Sequence, residues 1–509
     1  MIHRSRALLA AALMAGLLLI TASFTRAADP DSGIGPGARV FRAGAATSNV
    51  TPRIGTFINT DRPATHINDE LLARCLVLDD GRTRLAFAIV DGCIIHQEAF
   101  DHAKQRIHEL TQLPIDHILI SSTHTHSAPD AIGRPQGPRN PEEQKSMVAR
   151  IVDSQKPDKD PVYYAFLSER IADGIVRAIN NLEPARIGWG RGHLPEHLFN
   201  RRWFMKPGTP MPNPFGGQDR VKMNPTPGHP GLLEPAGPTD PEVHFISVQS
   251  PGGEPIALLA NYSLHYVGGV PAHHISADYF GVFATRIGDM LGARRTSRPF
   301  VGMVSNGTSG DVNNTDFRSP RGRQAPYDQI NRVANSLAAE VYQAHQRIQF
   351  RDWVSLDVIH RRLELGVRLP GAADLVRARE IVQRAKTYPR MQSPEEVYAR
   401  EAILLSGFAP TVPVYLQALR IGELVIGAIP CETFTETGLE LRARSPFPAT
   451  FTIELANGYH GYMPTARQHE LGGYESWRAR SSYLEKDAAE KIADNLIEMY
   501  GQLKSRAQP

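Results

Sequence analysis

Apolar positions in this chain fall into short unbroken runs set off by turn residues, with helical stripes between them. The runs Leu71–Leu78 and Leu85–Val90 flank Asp79-Asp80-Gly81, which predicts a β-hairpin. Over 97–112, Phe100, Ala103, Ile107 and Leu110 recur at helical spacing and predict a helix. The run His117-Ile-Leu-Ile-Ser121 is short and centred on three apolar residues, as in a buried strand. Strand-like runs return near 187 and at 243–248, 255–262, 299–304, 414–419, 423–428 and 450–455. Helical patterns return at 163–182, 280–292, 327–348, 372–405 (two helices broken near Pro389) and 484–503. Residues 128–160 are polar and predict a loop with some helix. Residues 204–241 are rich in Pro and Gly and show no apolar period, so a long loop acting as a lid or rim is expected there. No internal repeat is present. Strands and helices alternate, but several strand pairs are hairpin-like. The fold class this predicts is α/β, with mixed β-sheets flanked by helices in a single large catalytic domain over 43–505.

Composition adds limits. Hydrophobic content of 41% and charged content of 21% over 509 residues are ordinary for a folded protein. The first 27 residues carry Arg4 and Arg6, an almost unbroken apolar run from Ala7 to Ile20, and Thr25-Arg26-Ala27, the pattern of a signal peptide cut after Ala27. The run is shorter than a bilayer span needs, so no transmembrane segment is expected in the mature chain. The chain is therefore expected to be exported, to a periplasm or fully secreted, with 28–42 as a loose lead-in. The leader holds three arginines and no acid, and the whole chain carries a formal charge of +3, so the remainder is neutral. That leaves no electrostatic case for a nucleic-acid partner or an anionic membrane. Cys75, Cys93 and Cys431 are read as buried thiols, with a Cys75–Cys93 bridge as the alternative.

The candidate chemistry lies at strand ends. His124 and His126 follow the run 117–121. On an extended segment, residues two apart share a face, so one imidazole can bind a metal while the other moves a proton. Pro255–Ala260 runs into Asn261-Tyr-Ser-Leu-His265, Val425–Pro430 into Cys431-Glu432, and the run 450–455 into Gly458-Tyr-His-Gly-Tyr462. Four strand ends thus offer His, His, Glu and Tyr. Asp91 and Asp278 are similarly placed and read as supporting or structural. His273 and His274 are candidates for a further cluster, and His193 and His197 are expected at the surface.

Taken together these segments resemble the catalytic region of the neutral, non-lysosomal ceramidases. The matching stretches are Gly44–Pro52, Ser121-Ser-Thr-His-Thr-His-Ser-Ala-Pro129, Asn261–His265, Asn306-Gly-Thr-Ser-Gly-Asp-Val-Asn-Asn314, Cys431-Glu432, and Tyr462-Met-Pro-Thr-Ala466 with Tyr474-Glu475. They keep the family's order over most of the chain. The resemblance implies a Zn2+ cofactor held by His124, His265, Glu432 and Tyr462, with His126 and Tyr474 beside the metal. Arg201, with Arg202 as the alternative, looks like the family's substrate-contacting arginine. The implied activity is hydrolysis of an amide bond in a small or lipid-like substrate by metal-activated water, as in an N-acylsphingosine amidohydrolase. Two departures stand out. The family's Gly-Asp-Val-Ser-Pro-Asn stretch reads Gly310-Asp-Val-Asn313-Asn314 here. An amide cannot act as a hydroxyl nucleophile, but it can hydrogen-bond an oxyanion. The family's C-terminal β-sandwich is also not expected. Hydrolysis of a different amide or ester, and a zinc-holding protein without catalysis, therefore stay open as alternatives.

Overall fold

A computed structural model of the chain describes residues 39–59, 62–129, 161–293, 298–320, 322, 324–385, 391 and 393–506. Strands that are buried on both faces need apolar residues at nearly every position, and three sheets meet that condition around one shared interior. The first sheet orders its strands as Ile118–Ser122, Arg84–Val90, Leu72–Asp79, Arg42–Asn49 and Glu183–Pro184. Helices Gln97–Thr111 and Pro161–Asn180 cover one face through Phe100, Ala103, Ile107, Ile171 and Ile175. The other face, with Leu76, Phe87, Ile89 and Leu119, packs against the remaining two sheets.

The second sheet runs Val301–Asn306, Pro255–Tyr262, Glu242–Gln249, Arg186–His193, and its outer face lies under helices Asp278–Met290 and Asp328–His345. The third runs Leu356–Gly366, Thr411–Ile421, Leu424–Ala428, Ala449–Ile453, and its outer face lies under Ala488–Arg506. Ile246, Leu259 and Met303 from the second sheet and Leu419, Ile426 and Phe451 from the third complete the common core. This is the expected α/β class of mixed sheets flanked by helices.

Most neighbouring strands are antiparallel, but each sheet holds one parallel pair. These are Arg84–Val90 with Ile118–Ser122, Pro255–Tyr262 with Val301–Asn306, and Leu424–Ala428 with Ala449–Ile453. Parallel strands end at the same edge, so each sheet delivers two chain segments together. In α/β sheets that carboxyl edge is where ligands are bound.

The Asp79-Asp80-Gly81 turn joins Leu72–Asp79 to Arg84–Val90 as the expected hairpin, pairing Asp79 with Arg84 and Ala73 with Val90. The two helices expected over 372–405 are Ala372–Arg384 and Pro394–Leu405. The second starts at Ser393, whose hydroxyl accepts Glu396 N–H at 3.2 Å. The expected loop at 204–241 is corrected. Arg202–Met205, Val221–Met223 and Leu232–Pro235 form a three-stranded sheet, ordered because Trp203 and Met205 pack on Phe317. Sequence reading also passes over the 11-residue strand Leu356–Gly366, whose exposure alternates because only part of it is covered. Cys75, Cys93 and Cys431 are buried thiols, as expected, and not a Cys75–Cys93 bridge. Among the described residues no helix is long and apolar enough to cross a membrane. The leader, most of the lead-in, Pro389 and the segment 130–160 lie outside the described residues.

One short segment laces the three sheets together where their strands end. Glu454 N–H donates to Asn306 O (3.2 Å), Leu455 N–H to Cys431 O (3.2 Å), and Asn457 N–H to Ile120 O (2.7 Å), while Leu455 O accepts Ser122 N–H (3.2 Å). Leu455 and Asn457 take left-handed backbone angles, φ 53° and 63°, a conformation that suits asparagine better than leucine. The buried Asn457 side chain accepts from Lys104 Nζ at 2.8 Å and from Ile120 N–H at 3.2 Å, and donates to Gln417 Oε1 at 2.9 Å. Burial lowers the Lys104 ammonium to about 8. Asn457→Ala should cost about 2–4 kcal/mol, from the unmet bonds of Lys104 and Ile120. Urea denaturation of variant and parent checks this, and a loss below about 1 kcal/mol would show that the segment is not a structural tie.

Candidate metal centre

The strand Ile118–Ser122 keeps pairing past its end, since Thr123 N–H donates to Val90 O (2.9 Å) and His124 N–H to Gly92 O (2.8 Å). His124 then turns left-handed at φ 67°, a costly angle for a residue with a Cβ. The expectation of an extended segment is corrected here. The turn, not strand alternation, brings the His126 ring against His124, with centroids 4.7 Å apart and planes at 87°.

His124 and His265 are oriented the same way. His124 Nδ1 lies 3.0 Å from Cys93 O, and His265 Nδ1 lies 3.2 Å from Ser309 O. A carbonyl only accepts, so each Nδ1 carries the proton and each Nε2 is a bare lone pair. Those two Nε2 atoms stand 3.1 Å apart. Glu432 Oε2 lies 3.4 Å from one and 3.6 Å from the other, is buried, and accepts no hydrogen bond among the described residues. Three electron-pair donors thus face one point with no proton among them, an arrangement that repels itself unless a cation lies between. Zinc bonds of about 2.0–2.1 Å place neighbouring tetrahedral donors about 3.3–3.4 Å apart, so the observed separations fit such an ion.

The electrostatics agree. Burial, then the positive Arg201 and the neighbouring His124, hold the His265 imidazole well below its usual value. His126 is lowered for the same reasons, with His124 ahead of Arg201. Both are neutral at physiological pH, as a ligand or a proton acceptor must be. Burial works to raise the Glu432 carboxyl, but the charge of Arg201 and the Tyr459 hydroxyl act against it, and the group stands below its ordinary value, so it is ionised. That hydroxyl donates to Glu432 Oε1 at 2.7 Å, leaving Oε2 for the centre.

His126, Tyr462, Arg201 and Tyr474 stand around these three. His126 Nε2 is 3.2 Å from His124 Nε2, and its ring stacks on Tyr266 at 3.7 Å. Tyr462 pairs with Glu432 in parallel register, and its ring lies under the Arg201 guanidinium at 5.4 Å and beside Tyr474 at 5.7 Å. Burial and the charge of Glu432 raise Tyr474 to about 12, so it keeps its proton as a donor. Arg201 and Arg202 share Glu475, through Nε–Oε1 at 2.9 Å and Nη1–Oε2 at 2.8 Å. Arg202 is fully buried and spends its remaining donors on Gln468 and Gly472, whereas Arg201 faces Tyr462. Asn313 lies on a two-residue strand paired with Phe199–Asn200. Its amide donates to Asn224 Oδ1 (2.9 Å) and accepts Thr315 N–H (2.9 Å).

Among the described residues Asp278 makes no hydrogen bond to His265. Its carboxylate accepts the N–H groups of Val267, Gly268 and Tyr279 and so fixes the loop that follows His265. Asp91 forms a buried ion pair with Arg74 at 2.6 Å. The His274 and His66 rings meet tilted at 44°, with centroids 4.5 Å apart, and His197 is buried, not at the surface as expected. Sequence reading missed Tyr266, Tyr459 and the backbone acceptors of Cys93 and Ser309. Tyr266, adjacent to His265, and Tyr459, three positions before Tyr462, had local cues.

No family model matches the chain. Two solved structures align with 92% of it. One, described as a ceramidase complexed with C2, is 16% identical with a TM-score of 0.65 over 76% of its own chain. The other, neutral ceramidase from Pseudomonas aeruginosa, is 17% identical with a TM-score of 0.64 over 75% of its own chain. The three-sheet arrangement that carries His124, His265 and Glu432 is therefore the fold of the neutral ceramidases.

Proposed function

We propose that this chain is an exported, zinc-dependent hydrolase that cleaves an amide bond in a ceramide-like substrate. The observation that carries the reading is the set of three buried, unprotonated donors of His124, His265 and Glu432, with Oε2 of Glu432 left without a hydrogen bond among the described residues. Tyr462, in register with Glu432, completes the ligand set in this reading. A bound zinc ion supplies Lewis acidity, making water acidic near pH 7 and polarising a carbonyl.

The surrounding residues have separate tasks. His126, neutral and held by its stack on Tyr266, accepts a proton and returns it to the leaving amine. Tyr474 donates to the oxygen on which negative charge develops. Arg201, anchored by Glu475 and Gly310 O, contacts the substrate. Asn313 keeps one amide N–H beyond the one it gives Asn224, and that N–H helps at the same oxygen.

Asn313 also favours a second reading, an amide or ester outside the ceramide class on the same scaffold, because no hydroxyl nucleophile stands at this position. A panel of ceramide analogues, short acyl amides and esters separates the two by relative kcat/KM.

Exhaustive chelation should abolish turnover, and stoichiometric zinc should restore it. His124→Ala should lose both zinc, by metal analysis, and activity. Full activity in a metal-free preparation would refute the reading. Tyr474→Phe should keep its zinc and lose on the order of 10²-fold in kcat. Gly310→Ala tests the packing under Glu432. A Cβ there would come within 2.6 Å of Glu432 O, so zinc retention against a competing chelator should weaken about 10-fold or more.

A further inference from the structure

Glu454, which the sequence does not single out, lies behind the donors at the end of the strand Ala449–Ile453 and is fully buried. Its two carboxyl oxygens serve different parts of the centre. Oε1 accepts the Ser309 hydroxyl at 2.5 Å, and Oε2 accepts Thr433 N–H at 2.7 Å. Ser309 is the residue whose carbonyl orients His265 Nδ1, and Thr433 follows Glu432 directly. The two segments also touch through Gly310 N–H and Thr433 O at 2.8 Å. One rigid, planar group therefore spans the supports of two donors that lie far apart along the chain.

Stability alone does not account for a carboxyl here. Among the described residues no cationic side chain pairs with Glu454 within 4.0 Å. A buried, unpaired acid is costly to keep, and an apolar side chain would fill the space at lower cost. What an apolar residue could not do is hold Ser309 and Thr433 at a fixed separation.

We propose that Glu454 is a positioning residue that sets the spacing between the His265 and Glu432 donors and so tightens metal binding without touching the ion. The proposal rests on the metal reading above. The test is the zinc dissociation constant of the metal-free protein, measured by competition with a chromogenic chelator. It is paired with the visible spectrum of the cobalt(II)-loaded form and the melting temperature of the metal-free form. Glu454→Leu should weaken zinc binding about 10- to 100-fold and shift the cobalt bands. Ser309→Ala keeps the carbonyl that orients His265 and should weaken binding several-fold. Glu454→Gln should stay near the parent, because its amide oxygen can accept Thr433 N–H while its NH2 donates to Ser309 Oγ.

A merely structural role would lower the metal-free melting temperature and leave the dissociation constant and cobalt bands of the folded protein unchanged. That result for Glu454→Leu and Ser309→Ala would overturn the proposal. Should Glu454→Leu fail to fold, Ser309→Ala decides by the same criteria. A parent protein that binds no zinc would instead overturn the metal reading and this inference with it.

Discussion

Everything in the site depends on the convergence of lone pairs that repel one another. Two imidazole nitrogens and a carboxylate oxygen are each turned toward a common point, and none has a proton to offer the others. Such an arrangement persists only when the surrounding structure leaves the donors no other direction to face. Here the carbonyls of Cys93 and Ser309 fix the two ring tautomers, and the Tyr459 hydroxyl occupies the other carboxylate oxygen. The left-handed angle at His124 is a further cost borne for the same geometry.

The fold makes that convergence possible by repetition. Each sheet has one parallel strand pair, and all three pairs end where segment 454–457 ties them together. The charges nearby follow from the same design. Arg201 and Arg202 lie out of water on the single carboxylate of Glu475, an arrangement whose desolvation penalty is substantial. Its return is a guanidinium locked over the Tyr462 ring, whose charge adds to burial, the larger cause, in keeping two histidines neutral.

The parts of this arrangement that could be read in the sequence are those with local causes. The core strands buried on both faces showed as unbroken apolar runs, and three of those runs led directly to His124, His265 and Glu432. Leu356–Gly366 escaped notice because partial burial scatters its apolar positions, and the small sheet within 204–241 because Pro and Gly mask its short strands. The pairing of His124 with His126 was foreseen for the wrong reason, since a backbone angle of φ 67° leaves no mark in composition. Glu454 and Glu475 act through partners hundreds or tens of positions away, as in the Ser309–Glu454 bond across 145 residues. Nothing in their own neighbourhood announces that role.

Drawing one donor from each of three sheets has an effect on the order of events in the life of the molecule. A chain in which one layer has yet to dock offers an ion no more than two of the His124, His265 and Glu432 atoms, with the third still in solvent. In the proposed metal reading, capture of the ion comes last, after the layers have closed. Occupancy would then mark the whole architecture as complete, which a fragment containing any two sheets could not imitate.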